Sequence, residues 1–326
     1  MIRTVGAVAV IVCMMLVLSC KKQAVYAPVD FNRINAILED NYNLSLFQAA
    51  LQRTGMDDVL QQQAGPFTVF VPSDYAFSNL GISDRTGLFT RPYAWIQKIV
   101  NYHVIPGNYQ LSKLPFQFNQ ELRSNAGKLF VTHWMKGNDT VYTVNGALVS
   151  LQDVTASNGR IQIIDKVLEP YVFDKISDAI RGDTITLFSE ALRRSGLMDT
   201  LNGSGVFTVF APSNDAMRRY GYDSIEQIRD APPEELRTLC NYHISRDLHF
   251  VYDYILTTSG DESSERMLDD FSLSIKPVAD AGSPGGYSGI HLAGPGNTTD
   301  VNIIRGDVLA GNGVFHIVDN VLRMTR

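Results

Sequence analysis

The sequence predicts an α+β protein built as two tandem domains of one kind. Three observations predict it. A set of motifs occurs twice in the same order, apolar residues at helical spacing come early in each copy, and short β-branched segments dominate late. The chain has 326 residues, 45% hydrophobic and 19% charged, which suits ordinary globular cores. At about 150 residues per domain the length is that of two. This composition excludes a collagen-like chain, a disordered tail protein and a multi-span membrane protein. Twenty-eight basic and 34 acidic residues leave a net charge of −6, so there is no basic footprint for nucleic acid.

The first twenty residues read as an address. Arg3 supplies a positive start, and Val5 to Leu18 is an apolar run too short for a comfortable span of about 20 residues but suited to a signal peptide. It ends in Val17-Leu18-Ser19-Cys20, followed by Lys21 and Lys22. This string resembles the lipobox of bacterial lipoproteins, in which the cysteine becomes the lipidated first residue. Several acyl chains hold a protein stably at a membrane where one binds marginally. A plain secretory signal with a chance cysteine, or an uncleaved anchor, are the other readings. Residues 1–20 are thus expected to be a lipoprotein signal peptide and 21–30 a tether. The remaining thiol, Cys240, ends an apolar helical pattern and is expected to be buried and inert.

Two domains follow, expected at residues 31–170 and 171–326. Phe67-Thr68-Val69-Phe70-Val71-Pro72-Ser73-Asp74 recurs as Phe207-Thr208-Val209-Phe210-Ala211-Pro212-Ser213-Asn214. Asn101-Tyr102-His103 recurs as Asn241-Tyr242-His243, and Thr68 to Thr208 and His103 to His243 share one offset of 140. Asn158-Gly159 to Leu168 recurs as Asn312-Gly313 to Leu322 at an offset of 154, so the second copy carries about fourteen extra residues.

Leu44, Phe47, Ala50 and Leu51 recur at helical spacing, with Gly55 placed as a C-cap. Phe67 to Val71 is a β-branched strand stopped by Pro72. Ser73 and Asp74 look like an N-cap, as do Asn214 and Asp215. Pro232-Pro233-Glu234-Glu235 starts a helix with Leu236, Leu239 and Cys240 as its stripe, and Trp95, Ile99 and Val100 mark its counterpart. Asn158-Gly159 is a tight turn into the alternating strand of Ile161, Ile163 and Val167.

Together, Phe-Thr-Val-Phe-x-Pro-Ser-(Asp/Asn), Asn-Tyr-His and Asn-Gly-x-x-(His/Gln)-Ile-x-Asp-x-Val-Leu resemble the fasciclin (FAS1) domain, twice. The resemblance implies a β-sandwich or wedge flanked by helices, with a role in extracellular adhesion and ligand binding. It also implies that Thr68, Pro72, Tyr102 and His103, with Thr208, Pro212, Tyr242, His243 and His316, belong to a structural and interaction motif. Gln162 stands where His316 stands in the second copy, which argues against a histidine site common to both.

No catalytic constellation emerges. Six histidines are present, and none lies in a metal-binding string; no metal and no cofactor is expected. Ser73 and Ser213 are not in a nucleophile elbow. Arg181-Gly182-Asp183 and Arg305-Gly306-Asp307 resemble the recognition tripeptide of integrin ligands. Turn chemistry explains both, with Asp183 as an N-cap for the helix entering Leu187 and Arg305 at a hairpin tip. Four Asp-(Thr/Ser)-apolar strings, beginning at Asp139, Asp183, Asp199 and Asp223, resemble an O-glycosylation sequon of exported Bacteroidota proteins, and capping and turns account for them equally.

The stretches 280–289 and 294–299 are expected to lack regular structure, either as a binding loop, with Tyr287 and His291 able to stack on a sugar or peptide, or as a disordered surface loop. Tyr109, Trp134 and Tyr142 are aromatic candidates for a contact face. The expected whole is a non-enzymatic adhesion or ligand-binding lipoprotein of the outer membrane, facing the cell surface or the periplasm. Its expected partners are a membrane lipid anchor and an extracellular protein or glycan. The alternative is an accessory subunit of a glycan or peptide import complex, beside an outer-membrane β-barrel transporter.

Overall fold

The computed structural model describes residues 30–324; the expected signal peptide, Cys20 and tether residues 21–29 lie outside them. The first domain opens with helices α1 (Ile34–Glu39), α2 (Ser45–Thr54) and α3 (Met56–Gln62). Helix α2 buries Leu46, Phe47, Ala50 and Leu51 on one face and stops at Gly55, whose φ of 74° is the left-handed cap that glycine adopts without steric cost. Strand β1 (Phe67–Pro72) leads into α4 (Asp74–Ser78), α5 (Arg85–Phe89) and α6 (Tyr93–His103). Six strands complete the domain: β2 (Val104–Pro106), β3 (Gln117–Ser124), β4 (Gly127–Lys136), β5 (Asp139–Val144), β6 (Ala147–Ala156) and β7 (Gly159–Ile164).

The sheet order is β2-β1-β7-β6-β5-β4-β3, with β1 and β7 parallel and the other pairs antiparallel. Between β5 and β6 only Thr143↔Leu148 and Val144↔Ala147 pair, so the sheet almost divides there. Alternation along β1 explains the two cores. Val69 and Val71 pack with Phe47, Phe77 and Ile99 under the helices, while Phe70 points the other way, towards Tyr102, Leu129 and Val144.

The second domain repeats this plan with α7 (Ile176–Ala179), α8 (Thr186–Arg194), α9 (Leu197–Asn202), β8 (Phe207–Pro212), α10 (Asn214–Tyr220), α11 (Ile225–Asp230), α12 (Pro233–Asn241) and β9 (Ile244–Arg246). Helix α13 (Val251–Thr257) follows, then β10 (Ser263–Arg266), β11 (Ser272–Ala279), β12 (Tyr287–Ala293), β13 (Val301–Ala310) and β14 (Gly313–Val318). Its sheet order is β10-β11-β12-β13-β14-β8-β9. The class is α+β. Cys240 is fully buried in the helical core of this domain. Among the described residues no helix is long and apolar enough to cross a membrane.

Four local expectations are corrected. The extra residues of the second copy are not one irregular insertion. They lengthen the route through α13 and the β11–β12 and β12–β13 connections, and Tyr287, Ser288, Gly289 and His291 belong to β12. Residues 280–286 form a tight turn, because the Asp280 carboxylate accepts from the Gly282 amide at 3.0 Å and the Ser283 hydroxyl at 2.7 Å.

Asp183 does not cap α8. The Leu187 amide donates to Asn214 Oδ1 at 3.0 Å, as Leu46 donates to Asp74 Oδ1 at 2.9 Å in the first domain. Ser73 and Ser213 alone cap the helices that follow them, accepting from Ala76 and Ala216, whereas Asp215 pairs with Arg218. Finally, Arg305 is not at a hairpin tip. It sits inside β13, where the register shifts between Ile303 and Arg305 and again between Arg305 and Val308, and Asp307 takes a φ of 60° in that bulge.

Candidate functional site

The motif residues are consumed by the fold, in the same way twice. The Thr68 hydroxyl donates to the Gly107 carbonyl at 2.8 Å and accepts from the Tyr109 amide at 2.8 Å; Thr208 does so with Asp247 and His249 at 2.9 and 3.0 Å. Tyr102 and Tyr242 are buried, and their hydroxyls donate to the Lys128 and Ser272 carbonyls. Pro72 and Pro212 end β1 and β8.

His103 places Nδ1 2.7 Å from the Ile99 carbonyl and accepts from the Leu168 amide on Nε2 at 3.1 Å. His243 repeats this with Leu239 and Leu322 at 2.8 and 3.0 Å. A carbonyl on one nitrogen and an amide on the other fix a neutral ring protonated on Nδ1. Burial pushes both imidazoles down to about 4, against the pull of those carbonyls.

His316 takes the opposite tautomer, accepting from the Asp307 amide on Nδ1 at 3.0 Å and facing the His249 carbonyl with Nε2 at 3.1 Å. Its first-domain counterpart Gln162 accepts from the Asp153 amide on Oε1 at 2.7 Å and donates to the Tyr109 carbonyl at 3.4 Å. The difference in residue type therefore conceals one hydrogen-bonding role.

The two domains meet along α13. Asp253 is fully buried and accepts from Phe250 N at 2.9 Å, Asn119 Nδ2 at 3.0 Å and Thr132 Oγ1 at 3.1 Å, the last two from the first domain. Burial outweighs these donors and raises its carboxyl to about 7. Lys136 of β4 donates to the Ile255 and Thr258 carbonyls at the C-terminal end of α13, at 2.5 and 2.6 Å, where a cation complements the helix dipole. Phe118, Trp134 and Leu148 of the first domain pack against the second domain's core. At the far side Lys166 binds Asp307 at 3.0 Å, and Asp307 also accepts from Val251 N at 2.8 Å, capping α13. Burial alone would raise Asp307; Lys166, His316 and the Val251 amide more than offset it and hold it below the usual carboxylate range.

Beside this junction lies a cleft of about 890 Å³, walled by α6, the 167–173 connection, β12 and β13. Val172, Phe173 and Ile304 line it at 74%, 47% and 59% exposure, with Trp95 and Ile290 further in. Lys98, Arg305 and Glu169 stand on its walls, exposed. Its size is that of a small-molecule site, typically about 300–1,000 Å³.

Of the aromatic and histidine residues expected on a contact face or binding loop, His291 is the one that lines this cleft, with Nδ1 3.2 Å from Asp300 Oδ2. Trp134 packs on Phe118 at 4.7 Å, and Tyr287 carries Lys136 Nζ 5.6 Å over its ring, so both lie within the junction. Tyr142 is buried against His133. Tyr109 is half-buried beside a separate hollow with Lys113 and Arg160. Arg181-Gly182-Asp183 is exposed, whereas Asp307 of the second tripeptide is only 11% exposed and committed to Lys166 and Val251. Sequence reasoning missed Lys98, Val172, Phe173 and Ile304. The available signal was the apolar Tyr171-Val172-Phe173 run at a domain boundary, where polar linker residues are usual.

The fasciclin domain family matches residues 42–170 and again 183–324. The chain is 27% identical over 259 residues to transforming growth factor-beta-induced protein ig-h3 of Sus scrofa, covering 79% of this chain and 35% of that protein. It is 28% identical over 271 residues to human periostin, covering 79% and 28%. It is 34% identical over 131 residues to protein sll1483 of Synechocystis sp., covering 40% and 69%. The chain thus spans about a third of ig-h3 and less of periostin. A solved FAS1 domain pair from the insect cell adhesion molecule Fasciclin I is similar at 21% identity and a TM-score of 0.41, over 86% of this chain and 96% of that one. With two family matches covering most of its length, each on its own seven-stranded sheet with attached helices, this chain belongs to the fasciclin domain family.

Proposed function

We propose that this chain is a non-catalytic ligand-binding and adhesion lipoprotein of the cell envelope, held in the outer membrane by acyl chains on Cys20. The observation that carries the ligand-binding part is the preformed cleft, set beside a junction in which Asp253, Lys136 and Lys166 tie one domain to the other. A family associated with adhesion and ligand binding supports the same reading. Its non-catalytic character is supported by His103, His243 and His316, whose ring nitrogens are each engaged by backbone groups, leaving no free acid or base there. The envelope address rests on the Val17-Leu18-Ser19-Cys20 string.

The test is fractionation of native membranes, followed by a mild-detergent pull-down through a C-terminal tag. The wild-type chain should sediment with outer membranes, and Cys20→Ser should release it. Recovery without a stoichiometric membrane partner is the expected result. A near-stoichiometric β-barrel partner would make the chain an import-complex subunit instead, and an unaltered distribution of Cys20→Ser would remove the lipoprotein reading.

A further inference from the structure

We propose that the cleft between the domains binds an amphipathic monoanion, a long-chain carboxylate whose tail lies on the apolar wall and whose head meets Lys98 and Arg305. This rests on the reading of the cleft as a ligand site and assigns it a chemical class. The apolar wall suits a hydrocarbon tail. Val172, Phe173 and Ile304 are among the exposed large apolar side chains of the molecule, and all three line one cleft together with Trp95 and Ile290. Such clustering marks surface that is covered in use.

The charge suits an anionic head. In a chain of net charge −6, the cleft carries Lys98, Lys166 and Arg305 against Glu169 and Asp307. Lys166 and Asp307 satisfy each other at 3.0 Å. The side chains of Lys98 and Arg305 have no ion-pair or hydrogen-bond partner among the described residues, and Glu169 sets one negative charge against their two positive ones. The residual charge is that of one cation, which complements a carboxylate and falls short of a dianionic phosphate. A guanidinium also matches a carboxylate with paired, parallel hydrogen bonds.

A peptide strand fits the cleft poorly. Strand addition needs a regular open edge, whereas β13 is an interior strand, paired with β12 at its start and with β14 along its length, and it is bulged against β14 between Ile303 and Arg305 and between Arg305 and Val308. The cleft therefore offers side chains more than backbone.

The experiment is calorimetric and fluorescence titration of the purified full chain with decanoate below its micellar concentration. Acetate, methyl decanoate and decyl phosphate serve as comparison probes. Saturable one-to-one binding of decanoate is expected, with acetate silent and the neutral ester and the phosphate each weaker. Ile304→Asp and Arg305→Glu, both at exposed positions, should weaken decanoate by at least about tenfold at unchanged melting temperature. Trp95→Phe should abolish the fluorescence change while calorimetric binding persists. No binding by the folded wild type, equal affinity for the neutral ester, tighter binding of the phosphate, unchanged affinity of both variants, or a fluorescence change that survives Trp95→Phe would each overturn the proposal. The titration uses protein already free of membranes, so it can fail or succeed independently of the fractionation result.

Discussion

Gln162 and His316 stand at equivalent places in the two domains and close the same bulge. Each accepts from the amide of an aspartate held at positive φ, Asp153 at 58° and Asp307 at 60°. Each also reaches the carbonyl of the residue that Thr68 or Thr208 anchors, Tyr109 or His249. His316→Gln should therefore cost no more than about 1 kcal/mol in denaturant unfolding. His316→Ala, which strands a buried amide and carbonyl, should cost about 2–4 kcal/mol. Equal losses for the two variants would contradict the shared role.

The two Arg-Gly-Asp strings should separate cleanly. Asp307→Ala removes the acceptor of the Val251 amide at the start of α13 and leaves Lys166 only the Gly146 carbonyl, so a loss of about 1–3 kcal/mol is expected in thermal or urea unfolding. Lys166 is 46% exposed, so solvent screens the ion pair and most of that loss belongs to the cap. Asp183→Ala, in an exposed loop with no cap to lose, should stay within about 0.5 kcal/mol.

Gly146 lies where the domains touch, with a φ of 73°. A Cβ there would stand 2.8 Å from both Phe250 Cβ and Asp307 Oδ2. Gly146→Ala combines backbone strain with a clash across the junction and should cost at least about 2 kcal/mol. The loss should appear in unfolding midpoints measured by circular dichroism. An alanine tolerated at no cost would show that the contact is not made in solution.

Stability should respond to pH in two opposed ways. His103 and His243, pushed down to about 4, contribute stability that is fully present above the unfolded value near 6.5 and is lost as pH falls towards 4. Asp253, raised to about 7, acts oppositely: its contribution is present below the unfolded value of 3.8 and is lost as pH rises through 7. The destabilisation caused by Asp253→Asn should therefore shrink between about pH 5 and pH 8 in a urea series. A pH-independent difference would place the carboxyl in solvent.

Much of this fold was legible because its determinants are local. Leu46, Phe47 and Leu51 at helical spacing with Gly55 after them, Ser73 after Pro72, and Asn158-Gly159 before alternating isoleucines each announce an element within a few residues. The repeat then doubled every signal. What was missed is long-range. Asn214, not Asp183, caps α8 from 27 residues downstream. Asp307 looked like turn chemistry because Gly-Asp usually is, but the bulge that turns it towards Val251 and Lys166 is set by pairing with β14. The cleft was illegible for the same reason. Its wall joins Trp95, Phe173 and Ile304 from three separate stretches, and only the docking of the domains brings them together.

Everything at the junction depends on that docking, and a distance measured across it reports on it. Spin labels at the exposed positions Gln97→Cys in α6 and Thr238→Cys in α12, in a chain also carrying Cys13→Ser and Cys20→Ser, report one domain's position relative to the other. A single narrow distance distribution is expected, broadening when Asp253→Ala and Lys136→Ala are combined. A broad distribution in the parent chain would mean that the domains move independently, and the cleft would then not be a preformed site.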